Sequence, residues 1–331
     1  MGIQGVIMAK MKSLAVPIPE TFVISTTATE EFFRTKDSSN LLMKCRKAVG
    51  EISRHTGRRF EQTRPNLLEK VTGVAGSDEK RSERPLLLSF RAVPDFPMPD
   101  VMETLTSIGM NTDLLNQLAH DKESAVWAHE TYTQFLQTWG TVIEGHDHAR
   151  FAEIIREVRA RAGILQGQPL DLDTLKLVIH EFKRLVNPPE DPVEQLKVAL
   201  ETICNNWYGS RSDKFKDLFG LEKKLRLAII VQHMVYGNYD NKSGSGVGFS
   251  RNPVNGDTDH IAEFLPMATR FELLFQEVEP LHLSHLRNFK PEVFYKMQHV
   301  LKLHETNFKD AHVRNSTIFH LSWIYFLIIS P

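Results

Sequence analysis

Cysteine is nearly absent from this chain. Its 331 residues hold two, Cys45 and Cys204. Two are too few for a disulfide framework and fit no metal-binding spacing, so a reducing compartment such as the cytoplasm is expected. Charge of one sign is also missing. Forty Lys and Arg stand against 41 Asp and Glu, a net charge of −1. That balance speaks against a bulk electrostatic partner such as a nucleic acid or an anionic membrane. Long hydrophobic runs are lacking too. The most apolar stretch, "WIYFLIIS" at 323–330, is about half the length that a membrane-spanning helix needs. The N-terminal "MGIQGVIMAKMK" has neither the charged start nor the long apolar core of a signal peptide. Val6 stands where a myristoylation site has Ser or Thr. No internal repeat or low-complexity tract is visible.

What is there suits a globular chain of two or three lobes, with 41% hydrophobic residues to bury. "TFVIST" at 21–26 and "PLLLSFRAV" at 85–93 read as strands, as do "LAIIVQHMVYG" at 227–237 and "GVGFSRNP" at 246–253. Helices fill the space between the second and third strands. In "LDLDTLKLVIHEFKRLV" the residues Leu175, Val178, Ile179, Phe182 and Leu185 share one helical face, with Asp173 as the expected N-cap. In "DPVEQLKVALETICNNW", Asp191 caps, Pro192 takes the first helical position and Glu194 the third. Val193, Leu196, Leu200, Ile203 and Trp207 then form the buried stripe. "VTGVAGSDEKRSERP" at 71–85 reads as a polar surface loop. Strands, then helices, then strands predict a mixed α/β, or α+β, chain of two lobes with a helical subdomain between them.

Several segments carry chemistry-bearing residues but read more simply as structure. Glu144, His146 and His148 in "EGHDHARF" alternate, which suits neither one helical face nor a zinc pattern, so a solvated loop is expected. "KCRKAVGEISRHTGRRF" at 44–60 is basic but lacks interleaved aromatics, and reads as a solvated helix face. The apolar end, "IFHLSWIYFLII", reads as an improvised strand.

"SGSGVGFSRNPVNGD" at 243–257 is harder to assign. Glycine this dense beside Arg251 fits either a hairpin turn or a backbone laid against phosphates, where the absence of Cβ permits close approach.

Its neighbours matter. "GIQGVIMAKM", "VPIPETFVIST", "SFRAVPDFPMPDVMETLTSIGMN", "TYTQFLQTWGTVI", "DPVEQLKVALETICNNW", "VQHMVYGN", the glycine stretch and "AEFL" follow one another from Gly2 to about Leu265. In that order they resemble the N-terminal nucleotide-binding region of the pyruvate phosphate dikinase family, which has the ATP-grasp fold and is shared with phosphoenolpyruvate synthase. The resemblance implies a first lobe at 1–110, a helical subdomain at 111–205, a second and incomplete lobe at 206–310, and a divergent tail at 311–331. It implies ATP as the cofactor, with magnesium in the family, and phosphoryl transfer toward a carrier histidine. Arg91 falls on the family's phosphate-binding arginine, and Thr104 on the threonine of its S-M-P-G-M-M-D-T block. Gly244, Gly246 and Gly248 fall on the glycines that lie near the nucleotide, followed by Arg251. Gln232, Met234 and Val235 fall on a strand lining the adenine, and Glu263 on the strand after the glycines.

The departures are specific. Gln4, before Gly5, stands where the family has its phosphate lysine. Ala92, Val93 and Pro94 replace a serine and two small residues. Asp100 replaces the glycine of S-M-P-G, and "MATRFELLFQ" replaces N-A-Q-G-E-D-V-V-A-G. Beyond Asp310 the D-I-E-F-T pattern is lost, and Val313 and Asn315 fall about where two metal carboxylates belong. The expectation is therefore a truncated, catalytically incomplete nucleotide-binding chain. The alternatives are a regulatory or interaction fragment that pairs with an intact dikinase subunit, or a product with no function.

Overall fold

Caps and apolar spacing set the helices where the sequence places them. In this computed structural model, residues 3–60, 85–94, 104–119, 122–165, 168–218, 220, 226–240, 242–252, 255–257, 261–268, 279–308, 314–320 and 323–329 are described. The polar segment at 71–84, Asp100, most of "MATRFELLFQ", Asp310 and Val313 lie outside them. In chain order the elements are α1 (Ile3–Ser13), β1 (Thr21–Ile24), α2 (Thr26–Thr35), α3 (Ser39–Thr56), β2 (Leu88–Pro94) and β3 (Thr104–Ile108). The helical run follows as α4 (Thr112–Leu118), α5 (Lys122–Val142), α6 (His148–Ala162), α7 (Leu172–Lys183), α8 (Pro192–Trp207) and α9 (Ser210–Leu218). Then come β4 (Leu227–His233), β5 (Gly244–Phe249), β6 (Ile261–Pro266), β7 (Leu281–His282), α10 (Leu283–Phe289), α11 (Pro291–Phe308), β8 (Arg314–His320) and β9 (Trp323–Ile329).

Asp191 caps α8 by accepting the Val193 N–H, and Pro192 sits in the first turn. α7 begins differently from expectation. Asp171, not Asp173, is its N-cap. Asp171 has extended backbone angles and accepts the Thr174 N–H at 2.8 Å. Asp173 is already inside the first turn, where its carboxylate still suits the helix dipole. The solvated loop expected at 144–151 ends early, because Asp147 accepts the Ala149 N–H and starts α6 at His148. α3 buries Leu41, Cys45, Val49 and Ile52 and leaves its basic side in solvent, as the sequence suggests.

The chain is α+β, with two antiparallel sheets. The first has the order β1-β4-β2-β3 and the second β7-β6-β5-β8-β9. β4 enters the first sheet from beyond the helical run and pairs with both β1 and β2. Residues 206–310 thus supply strands to both sheets. One face of the first sheet, with Leu88, Phe90, Ala92, Leu227, Ile229 and Val231, shares a hydrophobic core with α2, α3 and α5–α8. Gln195 of α8 ties this core to the end of β3. Its carboxamide accepts the Gly109 N–H at 2.8 Å and donates to the Met110 carbonyl at 2.9 Å. The other face, with Val93 and Ile230, meets Met8 and Met11 of α1, Ala262 and Phe264 of β6, and Met297 and Leu301 of α11 in a second core.

The glycine stretch is a strand and not the hairpin turn that its composition allows. β5 is central in the second sheet, paired to β6 on one side and β8 on the other. Two glycines explain why side chains are excluded nearby. A Cβ on Gly248 would stand 2.5 Å from the Met297 methyl of α11. A Cβ on Gly237, just before the strand, would collide with the Ala268 carbonyl and the Ser245 hydroxyl. A methionine methyl can swing aside, whereas a backbone carbonyl cannot. Gly248→Ala should therefore cost less than about 1.5 kcal/mol of stability and Gly237→Ala about 3 kcal/mol or more. Urea unfolding of the two variants checks the order. Equal costs would mean that β5 is not held in this register.

Candidate functional site

Alternation along the first sheet decides which candidate residues meet. Leu88, Phe90 and Ala92 face the helical core, so Ser89, Arg91 and Val93 face the other way. Arg91 stands opposite Thr104 on β3 and Ile230 on β4, which brings Arg91 and Thr104 together. This is the face that α1 covers through Val93 and Ile230. Arg91 is half-buried, and desolvation pushes its guanidinium down to about 10. It therefore remains a cation at neutral pH.

α1 presents its N-terminus near the same core. Gln4 lies in its first turn, beside the buried Gly5. The Oε1 of Gln4 is buried and has no hydrogen-bond partner. A helix N-terminus favours an anion, but a neutral carboxamide adds no charge where the resemblance expects lysine.

The other candidates lie on β4, β5 and β6 or just beyond them. Gln232 is buried on β4 opposite Thr21 and Ser89, and its Nε2 donates to Thr21 Oγ1 at 3.0 Å. β4 ends at His233, so Met234 and Val235 lie past the strand. The Met234 N–H donates to the Leu87 carbonyl at 2.8 Å, and its sulfur accepts the Ser107 N–H at 2.9 Å. Gly244, Gly246 and Gly248 lie on the β5 face that meets α11. Glu263, exposed on β6, is paired with Val247 and so lies on the opposite face. Arg251 is held by Glu305 of α11, its Nε 2.7 Å from Oε1. That hydrogen bond, with the opposite charge, raises the Arg251 pKa. Asn315 is opposite Gly248 in the register of β8.

Sequence reasoning passed over two residues of this neighbourhood. His233 follows Gln232 and is 2% exposed. Its Nδ1 accepts the Glu20 N–H at 2.9 Å. The signal was present, a histidine ending an apolar strand in step with Ile229 and Val231. Glu305 gave none, since it is 54 residues from Arg251. Among the described residues no three His, Cys, Asp or Glu side chains converge on a metal-sized site. The His146–Glu144 pair, at 3.2 Å, gains no third such ligand among the described residues. Cys45 and Cys204 are buried free thiols, pushed up to about 12 by desolvation. Among the described residues no helix is long and apolar enough to cross a membrane.

Curated proteins similar to this chain include several named pyruvate, phosphate dikinase. Pyruvate, phosphate dikinase of Rhizobium meliloti (strain 1021) is 28% identical over 330 residues, covering 94% of this chain and 35% of that protein. The dikinase of Rickettsia typhi (strain ATCC VR-144 / Wilmington) is 27% identical over 322 residues, covering 94% and 34%. The chloroplastic dikinase of Flaveria pringlei is 28% identical over 316 residues, covering 94% and 31%. The chain spans about a third of the length of the curated relatives it matches. No family model matches it. The similarity marks the chain as related to a region of the dikinases.

His233 offers a test of the site's packing. Burial first, and then the charge of Arg58, lower its pKa from 6.5 to about 4. The unfolded chain therefore binds this proton more readily than the folded one, and stability falls as pH drops from about 6.5 toward 4. His233→Asn keeps an acceptor near the Nδ1 position but removes the titration. It should flatten the pH dependence of stability in that window by about 1–3 kcal/mol. Denaturant melts at pH 7 and pH 4.5 decide the matter. An unchanged pH slope would mean that His233 is solvated.

Proposed function

We propose that this chain is a nucleotide-binding region of ATP-grasp type, which takes ATP between its two sheets. The observation that carries the reading is Arg91. It is a cation on the sheet face turned toward α1, desolvated, and in register with Thr104. That is chemistry suited to a phosphate chain. The similarity over 94% of the chain supports the same reading. In it, Arg91 and Thr104 bind phosphate oxygens, with the α1 N-terminus at Gln4 and Gly5 as a second, weaker anion contact. Gln232, Met234 and Val235 border the base. The strand Gly244–Phe249, with Glu263 and Arg251 beside it, forms the opposing wall. The phosphoryl transfer of a whole dikinase needs a phosphate acceptor. The part of that reaction these residues suit is holding ATP.

A second reading is favoured by Gln4. Its neutral amide, with Oε1 buried and unbonded, weakens the phosphate subsite, which suits a non-catalytic region that pairs with an intact dikinase subunit.

Titration of ATP and AMP against the wild type and two variants tests both. Arg91→Ala should weaken ATP binding about ten- to a hundredfold, the loss of a charge-assisted hydrogen bond. Gln4→Lys should tighten it by a similar factor. AMP, which lacks the β- and γ-phosphates, should respond far less to either change. If folded Arg91→Ala binds ATP as the wild type does, the phosphates do not lie on this face. If no variant binds ATP while the chain still captures an intact dikinase, the second reading stands.

A further inference from the structure

The strand that carries Thr104 contains an extra residue. β3 pairs with β2 as Leu88↔Ile108, Phe90↔Leu105 and Arg91↔Thr104. Two steps along β2 thus match three along β3, which makes a β-bulge at Thr106 and Ser107. That bulge decides the register. Continued without it from Leu88↔Ile108, the ladder would set Leu105 opposite Arg91 and turn Thr104 to the other face of the sheet. With it, Leu105 and Ile108 are both buried in the helical core, and Thr104 stands opposite Arg91.

Met234 supports the bulge. Ser107 is fully buried and has a φ of 60°, a conformation uncommon outside glycine. Its N–H donates to the Met234 sulfur at 2.9 Å, and its hydroxyl lies 3.6 Å from the same atom. The Thr106 N–H reaches Thr138 Oγ1 of α5 at 3.5 Å. A buried N–H left without an acceptor is costly, so the sulfur steadies this turn of the strand. Met234 also holds the neighbouring strand, since its own N–H donates to the Leu87 carbonyl just before β2. One residue beyond β4 therefore grips both strands that carry the Arg91–Thr104 pair.

We infer that Met234 is a positioning residue for the phosphate subsite, whose sulfur holds the bulge at Ser107 and so keeps Thr104 beside Arg91. The inference rests on the nucleotide reading above, in which Met234 borders the base while Arg91 and Thr104 bind phosphate oxygens. It adds a link between the two ends of the ligand. A base seated against Met234 restrains the sulfur, the sulfur holds Ser107, and Ser107 fixes the register in which Thr104 faces Arg91. A thioether is a weak acceptor on a flexible side chain, so this hold is one that a bound ligand can reinforce.

Inorganic tripolyphosphate tests this in the whole chain. It carries phosphates and no base, so a change in its affinity cannot come from a lost base contact. Calorimetry on Met234→Leu, which keeps the volume and removes the acceptor, should show tripolyphosphate binding weakened about three- to tenfold. Met234→Gln, whose amide oxygen can accept the Ser107 N–H, should restore most of it. Thr104→Ala should weaken binding by a similar factor in the wild type and add little in Met234→Leu, since both changes remove the same contact. Hydrogen exchange should show the Ser107 amide slowed by saturating tripolyphosphate. A folded Met234→Leu that binds tripolyphosphate as the wild type does overturns the inference. So does a Thr104→Ala loss of equal size in both backgrounds, or a Met234→Gln that binds no better than Met234→Leu. If Met234→Leu does not fold, the exchange measurement decides alone, and a Ser107 amide indifferent to tripolyphosphate sinks the proposal. A wild type that binds neither ATP nor tripolyphosphate removes the nucleotide reading and this inference with it. Binding that is lost in Arg91→Ala but unchanged in Met234→Leu removes only the link.

Discussion

The second hydrophobic core is the contact on which the rest of the arrangement depends. The two sheets share no strand. Met8 and Met11 of α1 join them, touching a cluster that holds Val93 and Ile230 from one sheet, Ala262 and Phe264 from the other, and Met297 and Leu301 from α11. Each of the larger side chains contributes about 1.5–3 kcal/mol by leaving water, and they act at one junction. Gly248 belongs to the same logic, because its missing Cβ lets Met297 reach the sheet. The glycines that invite a phosphate reading thus have a packing reason for their absence of side chain, whatever else they do.

Much of the fold was legible because it rests on local signals. The Asp191–Pro192 start of α8 and its stripe of Leu196, Leu200, Ile203 and Trp207 stand as the sequence suggests. The four expected strands exist within a few residues of their expected bounds. Where local reading failed, a nearby competitor won. Asp171 outranks Asp173 as a cap because it has the extended backbone that lets a carboxylate reach back to the third helical amide. The strand expected at 246–253 is present at 244–249, and its central position comes from pairing with β6 and β8, neither of which is visible from its composition.

The candidate site was less legible, since its geometry is long-range. Alternation along 88–94 predicts the side of the sheet that Arg91 occupies, but only pairing puts Thr104 opposite it. Arg251 looked like a second cation for phosphate, and Glu305, far along the chain, claims it instead. In the proposed reading, with Arg251 claimed and Gln4 neutral, Arg91 and a helix end would be the anion contacts, which points to modest affinity.

The central claim is that a nucleotide sits between the sheets, against the Arg91 face. Hydrogen exchange with and without ATP tests it most directly, because it reports position as well as binding. The account predicts that ATP slows exchange in β2, in β5 and in the first turn of α1, and leaves α6 and α7 unchanged. Protection confined to the helical run, or none at saturating ATP, would contradict it.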